Sequence, residues 1–169
     1  MKKSMMLAVL LTVAVTSLMA VPMGITLSTW GASRTVGSGQ GIHVSGGAFI
    51  APTPHLEIEL NAIVGLTPRF GQDLFGSLFI SYPFAGPLYH NGGEGTLYYN
   101  GLVALGYLGG WDHRNEQAVH ALALRIIPFT LGGSYYGRRE RALSFTVLYD
   151  VVDNSWAVSW SLLGFDIYL

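Results

Sequence analysis

After its first 20 residues the chain is dominated by a period of two in hydrophobic and polar positions. The clearest stretch is His55-Leu56-Glu57-Ile58-Glu59-Leu60-Asn61-Ala62-Ile63-Val64-Gly65-Leu66, in which every even position is apolar and most odd ones are polar or Gly. That pattern predicts a strand with one greasy and one polar face. A helix would set Glu57 and Glu59 about 200° apart and blur the division. The same alternation returns at Ile42, Val44, Ala48 and Ile50, and at Leu74, Leu78, Ile80 and Tyr82. Further on it marks Leu97, Tyr99, Val103, Leu105 and Tyr107, then Leu122, Leu124 and Ile126, then Leu143, Phe145, Val147, Tyr149 and Val151. Clusters of Gly, Pro, Asn and Asp at 37–41, 52–54, 67–73, 83–95, 109–116, 137–141 and 153–154 separate these runs and read as turns. With 25–33 as the first strand and 156–169 as the last, eight strands result. Residues 128–137 either extend the sixth strand, form an irregular turn or add a ninth.

The first 20 residues follow a different pattern. Lys2 and Lys3 precede an apolar run from Met5 to Val15, and Thr16-Ser17-Leu18-Met19-Ala20 leads to a small-residue cleavage point. Residues 1–20 therefore read as a secretory signal peptide, with one barrel domain over 21–169. The alternative is an uncleaved anchor, but Pro22 and Gly24 interrupt the continuation, and the apolar run is well short of the roughly 20 residues that span a bilayer. Cleavage removes both Lys and leaves seven Arg against ten acids, a formal charge of −3.

Alternation alone does not say which way the greasy face points, since lipocalin-like barrels are apolar inside and membrane barrels apolar outside. The inventory of polar residues decides. Only 11% of the chain is charged, whereas a soluble barrel must cover its exterior with ions; here the polar face is mostly Ser, Thr, Gly and Asn, which suits a lumen. Ionisable residues gather instead in the expected loops: Arg34, Arg69, Asp73, Glu94, Asp112, His113, Arg114, Glu116, the 138–141 run and Asp153. A hydrocarbon slab imposes that distribution, because an ion facing lipid at mid-depth costs about 2–4 kcal/mol. Tyr99 and Tyr107 lie eight residues apart, about 26 Å along the strand and about 20 Å along the membrane normal, which suits two interfacial girdles. Tyr82, Tyr149, Trp156 and Tyr168 are candidates for the same belts. The reading is an all-β, eight-stranded antiparallel up-and-down transmembrane β-barrel, closed because an open sheet edge in lipid would strand backbone polar groups.

The last residues carry a resemblance. Leu163, Phe165, Ile167 and Leu169 are apolar at alternate positions to the end of the chain. Over 22–169 the chain resembles the small eight-stranded outer-membrane β-barrels, the broad group of OmpA-, OmpX- and OmpW-type proteins. That resemblance is architectural. It implies a place in the bacterial cell outer membrane, outer-membrane lipid as surroundings, and recognition of the terminal strand by the barrel-assembly machinery. Members usually end on an aromatic residue, whereas this chain ends on Leu169. Upstream, Trp156, Val158, Trp160 and Leu162 carry the apolar set on even numbers, so the phase reverses near 162–164 and predicts a bulge.

The expected lumen holds His43, Ser45, His55, Glu57, Glu59, Asn61, Asn100, Arg125 and Asp150. Eight strands enclose a space that side chains just fill, so a packed polar core is the plain reading and a narrow polar path the sharper one. Three acids face one Arg in this set, and Arg125 is expected to pair with Glu57 or Glu59. His43, Ser45 and Glu57 have the residue types of a Ser-His-Glu triad, as in a lipid A deacylase of this architecture. A hairpin register that sets Ser45 opposite Asn61 leaves Glu57 about 13 Å from its place, so no enzyme is expected. No third ligand joins His43 and His55 at a metal-binding spacing, His113 with Asp112 and Glu116 reads as a solvated cluster, and no cofactor or metal is expected. Gly37–Gly41 opens no helix and is no phosphate cradle. Zero Cys excludes thiolate chemistry, and the Arg138, Arg139 and Arg141 group, interrupted by Glu140, is too small for nucleic-acid binding. The functions that remain are a structural or surface-exposed barrel with short outer loops, a narrow small-solute conduit, or, in the alternative, a soluble secreted lipocalin-like carrier of a small hydrophobic ligand.

Overall fold

The computed structural model describes residues 21–35, 39–67, 70–71, 73–86, 88, 97–113, 116–133 and 138–169; residues 1–20, expected to be a signal peptide, lie outside the described residues. Nine strand segments follow one another: β1 (Met23–Thr35), β2 (Gly39–Thr53), β3 (Leu56–Gly65), β4 (Asp73–Ala85), β5 (Leu97–Asp112), β6 (Gln117–Gly133), β7 (Arg138–Asp150), β8 (Ser155–Ser161) and β9 (Gly164–Tyr168). Each pairs antiparallel with the next through β8. β8 and β9 lie end to end, and both bond to β7 on one side and β1 on the other. The nine segments are therefore eight staves of a closed barrel. The 128–137 stretch extends the sixth strand as far as Gly133, and 134–137 lie outside the described residues.

Burial divides the wall cleanly. In β4 the pattern alternates along the whole strand, with Asp73, Phe75, Ser77, Phe79, Ser81 and Pro83 inside and Leu74, Gly76, Leu78, Ile80, Tyr82 and Phe84 outside. The outside face carries large apolar side chains on every stave, while Glu57, Glu59, Asn61, Ser77, Arg125, Thr146 and Asp166 are buried within. From Leu74 to Phe84 is ten residues, about 34 Å along the strand and about 26 Å along the axis at the usual tilt, close to the height of a membrane barrel's apolar band.

The strands run past several turns expected from sequence: β5 continues to Asp112, β7 begins at Arg138, and β4 keeps Pro83 inside a strand at a register shift. Bulges recur at one level of neighbouring staves. Register shifts lie between Asn100 and Leu102 on β5 and between Ile126 and Phe129 on β6. On β7 two successive residues, Ala142 and Leu143, turn away from the interior, and opposite them Leu162 and Leu163 separate β8 from β9. The phase reversal expected at 162–164 is thus one member of a line of kinks on β6, β7 and the β8–β9 junction, each of which exchanges inside for outside, whereas β5 faces inward on even numbers on both sides of its register shift.

The start of β1, the end of β9, the β2–β3 turn, the end of β4, the start of β5, the end of β6 and the start of β7 lie at one end, the terminus end. At the start of the β4–β5 connection Gly86 has φ of 69°, and a Cβ there would collide with the carbonyl oxygen of Tyr99. Gly86→Ala is expected to lower stability by at least the roughly 1–2 kcal/mol of left-handed backbone strain, read as a lower urea midpoint for unfolding.

Candidate functional site

The interior is a stack of layers. Toward the far end Trp30, Ile63, Phe75, Phe79, Leu108, Val119 and Leu148 form an apolar cluster, and at the terminus end Ala51, Leu88, Leu102 and Ile127 form a smaller one. The lumen is therefore less polar than the sequence reading had it. An eight-stave barrel has to fill its bore with side chains, and Phe75 and Phe79 occupy inward positions of β4 for that reason.

A charged layer lies between the two clusters. Glu57 and Glu59 project from β3, Arg125 from β6, Arg139 and Arg141 from β7, and Asp166 from β9. Arg125 donates from Nη1 and Nη2 to the two oxygens of Glu59 at 3.0 and 2.9 Å, a bidentate pair, with its guanidinium 3.9 Å from the centroid of the Phe79 ring. Arg141 reaches three carboxylates: Glu59 at 2.7 Å, Glu57 at 3.4 Å and Asp166 at 2.8 Å. Arg139 donates at 2.6 Å to Glu57 and at 2.6 Å to Asp166. Asn61 Nδ2 donates to Glu59 Oε1 at 2.6 Å. Three guanidinium groups meet three carboxylates, with side-chain exposures from 0% to 6%. A solvent-sized sphere barely touches this layer.

This arrangement both answers and corrects the sequence reading. Arg125 does pair with Glu59, while Glu57 belongs to Arg139 and Arg141. Within this layer three acids meet three Arg, because Arg139 and Arg141 are inside the barrel rather than in a loop; over the whole described interior the acids, with Asp73, Asp112 and Asp150 added, still outnumber the Arg. The kink at Ala142 and Leu143 explains the miss: beyond it β7 faces inward on even numbers, before it on odd ones. Asp166 was missed although it lies between outward Phe165 and Ile167, a signal sufficient to place it. Asp73 and Asp112, also expected in loops, are buried register partners at the far end.

His43 Nε2 lies 2.9 Å from Asp73 Oδ2, both residues buried. Ser45 accepts from Trp30 Nε1 at 3.0 Å and lies 2.6 Å from Ser28 Oγ. The β2–β3 register sets Ser45 opposite Ile63 rather than Asn61, two residues further from Glu57 than expected. His43, Ser45 and Glu57 thus have three separate sets of partners and form no triad. Asp150 is fully buried at the far rim, where its Oδ1 accepts from the backbone N–H of Val152 and caps the β7–β8 turn. Asn100 is buried near the terminus end and accepts from the Thr130 hydroxyl.

Two assignments fail outright. His55 is exposed in the β2–β3 turn with its ring 6.1 Å from Tyr82, because the chain reverses before the inward alternation of β3 begins. Tyr168 points into the barrel with its ring edge-on to Phe49 at 5.2 Å, a result of the phase reversal between β8 and β9. Tyr82, Tyr99, Tyr107 and Trp156 do face outward, and Tyr149 packs on Trp156 at 4.8 Å. Tyr107 also bonds His120, an outward residue absent from the sequence reading. Among the described residues no group of three or more His, Asp or Glu has the geometry of a metal site.

No protein-family model, curated protein or solved structure matches this chain.

Proposed function

We propose that the protein is an integral barrel of the bacterial outer membrane, exported by its leader and serving as a plugged structural or surface element rather than an open conduit. One observation carries this reading: large apolar side chains cover the outer face of every stave, while the buried charges lie inside, in a layer between two apolar clusters. An exterior with Leu60, Leu78, Ile80, Leu105, Leu122 and Leu124 in adjoining rows has a favourable home in acyl chains and an unfavourable one in water. The soluble carrier would need the reverse. The filled bore favours an anchor over a conduit, because ions crossing the charged layer would have to part buried bidentate pairs. Outer-membrane lipid is the proposed surrounding and the barrel-assembly machinery, reading Gly164–Leu169, the proposed partner in insertion.

The test is a bilayer-confined carbene label. Labelling is expected on Ile58, Leu60 and Leu105 in preference to Glu57, Glu59 and Asn61, together with partition into detergent and a mobility shift on heating. A protein that stays in the aqueous phase and resists the label would be the carrier instead.

A further inference from the structure

The ladders on both sides of one stave are interrupted at the same level. β1 pairs with β9 as far as Ser28↔Gly164 and with β8 from Gly31↔Trp160, while β7 pairs with β9 as far as Arg141↔Gly164 and with β8 from Ser144↔Ser161. Leu162 and Leu163 fall between, both turned outward, and Ala142 and Leu143 turn away from the interior beside them. Two neighbouring staves thus send no side chain into the bore here. Behind the break stand serines: Ser28 is half-buried, and Ser144 and Ser161, at 9% and 7%, are the most exposed of the buried polar residues. The wall is thin at this point. The Leu163 carbonyl accepts from outward Thr29 Oγ1 at 3.4 Å, from inward Ser161 Oγ at 3.3 Å and from the Thr29 backbone N–H at 3.1 Å.

Outside the break lies a cleft of about 250 Å³ between Leu27, Thr29 and Val44 on one side and Leu163 and Phe165 on the other, with Ser28 and Ser45 beneath. The two serine hydroxyls lie 2.6 Å apart, and Trp30 Nε1 donates to Ser28 at 2.9 Å and to Ser45 at 3.0 Å. Their polar atoms are thereby turned to one another and to the indole, so the cleft presents carbon almost throughout. A cavity of about 150 Å³ lined by aliphatic and aromatic side chains already holds benzene, which leaves room here for several methylenes of a flexible chain. Leu27 and Thr29 belong to the middle of β1, so the cleft opens at mid-height of the wall.

We propose that this cleft seats one acyl chain of a membrane lipid, which completes the wall where Leu162 and Leu163 leave the ladders. The inference rests on the membrane reading above and names a place where lipid is held rather than merely touched. At mid-height of a spanning wall the surroundings are hydrocarbon, and an apolar cleft there has acyl chains as its available occupant. Chain and wall are both apolar, so packing decides the preference instead of escape from water. A side chain standing out from the wall, such as Leu60 or Leu105, meets a lipid chain on its own surface alone. The cleft surrounds it on several sides, and leaving the cleft empty forfeits those dispersion contacts.

The test uses the full chain refolded into phosphatidylcholine vesicles containing a phosphatidylcholine with a mid-chain diazirine, with the sites of carbene insertion located by mass spectrometry. Leu27 and Leu163 are compared with Leu60 and Leu105; all four are leucines, so side-chain reactivity cancels. Leu60 and Leu105 are the more exposed, at 62% and 68% against 50% and 56%, so casual contact favours them. The expected result is the reverse, with insertion at Leu27 and Leu163 at least about twofold higher, a preference of the size that packing contacts supply between apolar partners. Val44→Trp fills the cleft and is expected to remove the excess while insertion at Leu105 stays unchanged. Should Val44→Trp not fold, Thr29→Phe takes its place under the same criteria. Insertion that follows exposure, or an excess that survives the filling variant, overturns the proposal and leaves the membrane reading standing. Absence of insertion at all four leucines removes the membrane reading and the proposal with it.

Discussion

Arg141→Ala is expected to lower the unfolding free energy by about 3–5 kcal/mol, the range for removing one partner from a buried ion-pair network. Arg141 contacts Glu57, Glu59 and Asp166, so its loss leaves three carboxylates to two guanidinium groups in a layer that solvent barely reaches. Glu59 would keep Arg125, and Glu57 and Asp166 would share Arg139. Arg125→Ala should cost less, because Arg125 bonds Glu59 alone and Glu59 retains Arg141. The ranking separates a network from a set of independent pairs. Combining Arg141→Ala with Asp166→Asn restores the balance of charge and is expected to cost well under the sum of the two single changes. Guanidinium unfolding of the refolded barrel, followed by loss of the β-sheet circular dichroism, gives all four values. A cost below about 1 kcal/mol for Arg141→Ala would show that water reaches the layer after all.

The destabilised variant should nonetheless retain the barrel's wall, since the strands are held by backbone pairing around a closed circuit. What the charged layer adds is cross-bracing. Glu57 and Glu59 on β3 are tied to Arg139 and Arg141 on β7 and to Asp166 on β9, so the first half of the chain grips the last across the bore. Buried ionic groups of this sort contribute less to net stability than to fixing one arrangement.

Parity explains how much could be read beforehand. Wherever a strand alternates without interruption, a single number decides which way a side chain points: Glu57, Glu59 and Asn61 on β3 and Arg125 on β6 follow from the apolar neighbours Ile58, Leu60, Leu124 and Ile126. A bulge resets that number, and no short-range sequence pattern announces it except where two large apolar residues adjoin, as Leu162 and Leu163 do. Arg139 and Arg141 lay on the wrong side of such a reset, next to a Gly and a Glu that made the run look like a turn. Their burial depends on the acids of β3 and β9, which no local window contains. Leu88 was illegible for a similar reason: it belongs to a Gly-rich connection, and only the closed bore gives its side chain somewhere apolar to go. His55 failed in the opposite sense, because the alternation of β3 was carried one residue too far into the hairpin turn.

The membrane reading makes a prediction that depends on depth. Leu105 is 68% exposed on β5, opposite Ile80 and Leu124 and near the middle of the outward apolar band. Leu105→Arg is expected to destabilise the barrel in lipid vesicles by about 2–4 kcal/mol, the cost of a guanidinium at the bilayer midplane. Trp156 is as exposed but sits beside the β7–β8 turn, so Trp156→Arg should pay only the interfacial cost of about 0–1 kcal/mol, plus its lost ring contact with Tyr149. A water-soluble barrel reverses this expectation: an exposed Leu→Arg change there falls within about 0.5 kcal/mol of neutral and improves solubility. Reversible unfolding from vesicles of both variants, beside wild type, distinguishes the cases. A penalty that falls from the middle of the band to its edge is the signature of a hydrocarbon slab around the wall. A flat profile would remove the basis for placing Leu60, Ile80 and Leu105 against acyl chains, and the exterior would then need another apolar partner to cover it.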